Sequence, residues 1–124
     1  MYETALSEVR NGKKKSHWIW YILPQLRGLG HSYNATYYGI NGIIEARQYL
    51  ENYILAAHLQ EILNVLLNLP TNDSEEIFGK LDAQKLKSSM TLFDFVSPND
   101  IFARVLDKYF NGQRDNRTIN IIQP

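Results

Sequence analysis

At 124 residues, with 44% apolar and 21% charged residues, the chain has the composition of one globular domain. It is long enough to bury roughly two-thirds of its unfolded surface in a single core. The 13 basic and 13 acidic residues cancel, which excludes a global basic field for nucleic acid, and the lack of cysteine excludes a disulfide framework, a thiolate metal site and a cysteine nucleophile.

No apolar run approaches the ~20 residues that span a bilayer, and residues 1–5 lack the basic-then-apolar pattern of a signal peptide, so no membrane contact and a cytoplasmic setting are expected. Charge is unevenly spread. Residues 1–44 hold Arg10, Lys13, Lys14, Lys15 and Arg27 against only Glu3 and Glu8, so the remainder is acidic.

Tyr2, Ala5, Leu6 and Val9 recur at i, i+3, i+4 and i+7 and predict a first helix, stopped by Asn11-Gly12. After the Lys13-Lys14-Lys15 connector, Ser16 is a candidate N-cap for a helix over 17–23. Pro24 ends it, because proline cannot donate and disfavours α geometry at Leu23. So short a helix depends on the packing of Trp18, Ile19 and Ile22. Residues 25–32, with Gly28-Leu29-Gly30, read as a loop. Ser32 can cap a short segment through Tyr38, and a break over 39–42 precedes a helix marked by Ile43, Ile44, Arg47 and Leu50. Leu55, Leu59, Ile62, Leu66 and Leu69 step by four and three, which predicts the central core helix over 53–68, closed by Pro70.

Asp73 or Ser74 caps the next helix, which Gly79 terminates, and Asp82 caps another through Leu86, Met90 and Phe93. Ser97-Pro98 reads as an N-cap followed by proline at the first helical position. Phe102, Val105, Leu106, Tyr109 and Phe110 line the helix after it, and Asn111-Gly112 stops it. A short final helix follows Asp115. No convincing pair of alternating strands is present. The expected fold class is all-α: one compact multihelical domain over 1–124, of about six to eight helices, several of them short.

Both tryptophans fall within residues 16–30, beside His17. An unperturbed imidazole titrates near neutrality, so His17 is the acid/base candidate, although a lone histidine commonly serves structure or surface. His17, His31 and His58 are spaced by 14 and 27 residues and match no helical ligand pair, so neither a metal nor a cofactor is expected. Trp18 and Trp20 lie about 200° apart on a helix and cannot both face inward. Either one packs in the core while Trp20 lines a cleft as a stacking platform, or both pack between helices. The lysine run is a solvated connector, or it attracts an anion together with Arg27. Gly28-x-Gly30 is neither a P-loop nor a dinucleotide fingerprint, since no Gly-Lys-Ser/Thr follows and no strand precedes.

Asp82, Lys85, Lys87, Ser88 and Ser89 form a second polar cluster. Paired serines are poor helix-interior residues, so they either allow close helix packing or face a pocket. Lys85 and Ser88 share a face at i, i+3, which makes a Ser/Lys nucleophile pair conceivable.

Ser16-His17-Trp18-x-Trp20, followed by Pro24-Gln25-x-x-Gly28-Leu29-Gly30, resembles the hallmark of domain-of-unknown-function family 1810, a mainly bacterial family. Further matches are Tyr38-Gly39-Ile40, Glu45-Ala46-Arg47-x-Tyr49-Leu50, Ile77-Phe78-Gly79, Asp82-x-x-Lys85-Leu86-x-Ser88-Ser89-Met90-Thr91-Leu92-Phe93, Leu106-Asp107-x-Tyr109-Phe110-x-Gly112 and Asp115-x-x-Thr118. The resemblance covers nearly the whole chain. It implies a multihelical fold and no established activity. Family members usually carry an extra turn before the first helix, with a Phe and a Gln missing here. Some are labelled calpastatin, yet nothing in this sequence resembles a calpain-inhibitor repeat.

The function expected from the residues is binding of a small polar or anionic, nucleotide-like molecule between segment 16–30 and helix 82–90. His17 and Lys85 are the candidate catalytic residues of a possible hydrolase or transferase. Trp20 and Tyr37 would stack, Gln25 would orient, and Arg27 would supply charge. Gly28 and Gly30 would allow close backbone approach, and Ser88 and Ser89 would face the pocket. The alternatives are a non-enzymatic protein-interaction module using the aromatic stretch and, against the zero net charge, RNA binding through residues 13–15. No DNA partner is expected.

Overall fold

Proline, glycine and short polar caps divide the chain into eight helices in a computed structural model that describes residues 1–123. They are α1 (Tyr2–Arg10), α2 (Ile19–Ile22), α3 (Tyr33–Tyr38), α4 (Ile43–Glu51), α5 (Tyr53–Asn68), α6 (Ser74–Val96), α7 (Ile101–Phe110) and α8 (Asn116–Ile122). Among the described residues there is no strand, and the fold is a compact all-α domain. A single parallel bridge joins Leu26 to Ile40.

The stripe on α5 buries Leu59, Ile62, Leu63 and Leu66 against α1, α4 and α7, while Leu55 at its start stays exposed. The centre of the domain, however, is α6. It packs on α2, α4, α7 and α8, and its stretch Ser88, Ser89, Met90, Thr91, Leu92 and Phe93 is buried without a break. A stretch covered on every side shows no amphipathic stripe, which is why the pattern of residues 88–93 understates it. Its small hydroxyl residues let neighbours approach. Ser88 and Thr91 return their hydroxyls to the carbonyls of Gln84 and Lys87.

Caps set the joints. Asn52, Asp73, Asp100 and Asp115 each accept amide hydrogens at the starts of α5, α6, α7 and α8. Two expected caps act otherwise. Ser97 donates its hydroxyl to Asp100 at 2.9 Å, and α7 begins only at Ile101 because Asn99 turns the backbone to φ 59°. Ser16 is not a cap either, since the Glu8 carboxylate has captured its amide and hydroxyl, and α2 is reduced to one turn. Gly79 ends one helical run, as expected, and joins it directly to the next. It kinks α6 at φ 77°, ψ 166°, a region open essentially only to glycine, and the helix resumes beyond it.

The ends of α5 and α7 are tied side by side. Lys108 donates to the Leu67 and Leu69 carbonyls at 3.1 and 2.5 Å, and the Tyr109 hydroxyl donates to Leu66 O at 2.5 Å. These cations and donors satisfy carbonyls left free where a helix stops. Buried Asp115 accepts from Ser88 Oγ, Thr118 N, Thr118 Oγ1 and Gln84 Nε2, and so locks α8 onto α6.

Candidate functional site

The lysine-to-tryptophan segment is held at its root by Glu8, on the polar side of α1. Its carboxylate accepts four hydrogen bonds: from the Lys15 and Ser16 amides, the Ser16 hydroxyl and the Trp18 indole Nε1, all within 2.6–2.9 Å. Burial works against the charge, but the Ser16 hydroxyl, the two amides and the indole outweigh it and hold the carboxyl down at about 2. Trp18 is completely buried, edge-on to Phe78 of α6.

Lys14 ties the segment to α6 a second time. Its side chain is only 6% exposed, and its ammonium contacts Asp82 Oδ2 at 2.6 Å and Ser16 O at 2.6 Å. It also lies 5.1 Å from the centre of the Trp18 ring, and its backbone amide donates to Ile77 O at 2.7 Å. The central lysine of the run is therefore part of the fold, while Lys13 and Lys15 remain exposed.

These ties leave a cleft of about 440 Å³ between the end of the lysine segment and the bent part of α6. His17 and Trp20 line one wall, and Phe78, Gly79, Lys80, Leu81, Asp82 and Lys85 line the other. The Lys85 ammonium sits 4.7 Å above the Trp20 ring and 3.3 Å from Asp82 Oδ1. One carboxylate thus serves two ammonium groups, Lys14 behind and Lys85 in front. With Lys80 also on the wall beside Lys85, ammonium groups outnumber the single Asp82 carboxylate, and the cleft can take an anion next to a flat aromatic face. The Trp20 Nε1 is sealed from solvent and, among the described residues, pairs with nothing.

Three of the predicted residues, His17, Trp20 and Lys85, meet in this cleft, brought together across 65 residues of chain by the kink in α6. His17 is exposed, and no hydrogen bond among the described residues orients its ring. The others stand elsewhere. Arg27 closes the loop between α2 and α4, donating to Thr36 O at 2.7 Å and Asn41 Oδ1 at 2.6 Å. Gln25 is buried at the root of that loop and accepts the Ile40 amide through its backbone carbonyl. Gly28 turns the loop at φ 102° in the open. A Cβ on Gly30 would come within 2.9 Å of the Ala35 Cβ, so its close approach is to α3. Tyr37 is exposed, stacked on Tyr33 and edge-on to Tyr38. Ser88 is bonded to Gln84 O and Asp115, and no hydrogen bond joins it to Lys85. Ser89 is wholly buried with its hydroxyl unpartnered among the described residues.

Sequence reasoning missed Glu8, Lys14, Lys80 and Leu81. Glu8 reads as an ordinary solvated helix residue, and only its placement beside two free amides and an indole makes it an anchor. Asp82 was legible as part of a polar cluster, but its partners were not. Among the described residues no three His, Cys, Asp or Glu side chains gather as a metal site would require. No described helix is long and apolar enough to cross a membrane.

Comparison with known proteins adds a family and a neighbour. The family model described as "Protein of unknown function (DUF1810)" matches residues 1–122. The crystal structure of the conserved hypothetical protein Rv1873 from Mycobacterium tuberculosis is 40% identical. That match covers 99% of this chain and 89% of the other, with a TM-score of 0.95. No curated protein matches.

Proposed function

The chain belongs to the DUF1810 family, and we propose that it binds a small anionic molecule with a planar, nucleotide-like part in the cleft between Trp20 and Lys85. The observation that carries this reading is the Lys85 ammonium poised over the Trp20 ring, beside an Asp82 already neutralised by Lys14. On binding, Lys85 leaves the indole for the phosphate or carboxylate of the ligand, and the planar group takes its place on the ring. Lys80 completes the cationic rim, and His17 adds an imidazole that can hydrogen-bond.

Any hydrolysis or group transfer in this cleft would run through His17, the one imidazole on its walls, as acid and base. A bacterial cytoplasm is the setting we assign, supported by the mycobacterial neighbour and by a cysteine-free composition suited to a reducing compartment.

The test is a thermal-shift titration with AMP, ADP and inorganic phosphate on wild type, His17→Ala and Lys85→Ala. Wild type is expected to be stabilised by AMP or ADP, by about 2.7 kcal/mol at a hundredfold excess over Kd. Lys85→Ala is expected to abolish the stabilisation, and His17→Ala to weaken it. A wild-type melting curve indifferent to all three probes would overturn the reading.

A further inference from the structure

Beyond the kink at Gly79 lies a second cleft, of about 470 Å³, whose position relative to the first was not legible in the sequence. The two share a wall. Lys80 and Leu81 line both, and Leu81 stands 78% exposed on the ridge between them. The clefts also repeat one motif. In the first, Lys85 lies 4.7 Å over the Trp20 ring, and in the second, Lys87 lies 5.9 Å over the Phe110 ring. Each is a flat aromatic group with a displaceable ammonium on its face.

The charges of the two are not alike. The first is cationic, as described above. In the second, Lys80 and Lys87 are balanced by Asp73 and Glu75. The Glu75 and Glu76 amides both bond to Asp73 Oδ1, so the second Asp73 oxygen and the Glu75 carboxylate are the acceptors the cleft offers. A carboxylate acceptor suits hydrogen-bond donors such as sugar hydroxyls or a ring amino group, not a second phosphate.

From this pairing we infer that the ligand is a dinucleotide: two heteroaromatic groups joined by a phosphate-containing bridge that crosses the ridge at Lys80. This rests on the reading of the first cleft given above. One ring stacks on Trp20 and the other on Phe110. The bridge lies between Lys85 and Lys80, and the second sugar or ring amine faces Glu75. A mononucleotide fills the first cleft alone. Joining two weak sites through one linker raises affinity without any new kind of contact.

Calorimetric titration in phosphate-free buffer distinguishes the possibilities, with AMP, ADP and diadenosine pyrophosphate as probes. Diadenosine pyrophosphate is expected to bind at least tenfold more tightly than AMP or ADP. Lys87→Ala should reduce that ligand to the ADP level while AMP affinity is unchanged. Leu81→Asp, a substitution at a 78% exposed position on the ridge, should weaken the dinucleotide more than AMP. If AMP binds in a Lys85-dependent manner but the dinucleotide binds no more tightly, the bridge is overturned and the first cleft stands. Absence of binding by all three probes overturns both.

Discussion

Trp18 and Trp20 are two residues apart on the same short segment, yet they belong to different parts of the protein. Trp18 is fully buried, its ring packed against Phe78 and its Nε1 bonded to Glu8 at 2.9 Å. Trp20 is half-buried, its Nε1 has no partner among the described residues, and its ring faces a lysine across an open cleft. In the first residue both the apolar body and the polar handle of the indole are used by the fold. In the second only part of the body is. A ring face that carries only a displaceable ammonium, at a cleft rich in cations, is available to a ligand.

Truncation is the most forceful way to break that comparison. Trp18→Ala should cost about 3–5 kcal/mol in urea unfolding, the range for a buried large aromatic side chain. Trp20→Ala should cost less than half as much, and equal losses would erase the distinction.

Next comes the anchor that fixes Trp18. Glu8→Gln is expected to destabilise by about 1–3 kcal/mol at pH 7, since hydrogen bonds to a charged acceptor lose their charge assistance. The pH dependence has a definite sign. The folded carboxyl is held at about 2, below its ordinary 4.5. Its contribution is therefore present above about pH 4.5 and is lost as pH falls toward 2. The gap between wild type and Glu8→Gln, followed by denaturant titration, should be constant above pH 5 and close by pH 2.

The smallest effect separates the two rings spectroscopically. Trp20→Phe removes an unpartnered N–H and should change stability by less than about 1 kcal/mol. It should nevertheless abolish the change in tryptophan emission on AMP addition that wild type and Trp18→Phe retain. A response that survives in Trp20→Phe would assign ligand contact elsewhere.

Helices whose apolar residues keep to one side were legible from periodicity. The helix marked by Leu59, Ile62 and Leu66 spans the predicted residues, and the stops at Asn11-Gly12 and Asn111-Gly112 and the short final helix after Asp115 fall where expected. What periodicity hid was the rank of α6, because its continuously buried stretch over 88–93 has no stripe, and because the two helical runs that meet at Gly79 abut as one kinked element. The candidate site was legible in its residue types, in that His17, Trp20 and Lys85 line one cleft. Its charge balance was not. It depends on Lys14 reaching Asp82 across 68 positions, and no local rule distinguishes that lysine from its exposed neighbours. Arg27, Gln25 and Gly30 carry the same lesson from the other side. Polar and permissive residues beside an aromatic run were there to close the run's own loop.

The bend at Gly79 also alters what the helix backbone offers to the rest of the chain. In an uninterrupted α-helix the carbonyl of Ile77 would be consumed by the amide four residues on, at Leu81. With the ladder interrupted at residue 79, that oxygen receives the Lys14 amide instead. The discontinuity is thus a socket. It converts an internal rung of one helix into the point at which a distant loop plugs in, so the same glycine that tilts one cleft wall also fastens the opposite one. A residue with a β-carbon here would strain the backbone at the one point on which the shape of the cleft wall and the Lys14 amide contact both depend.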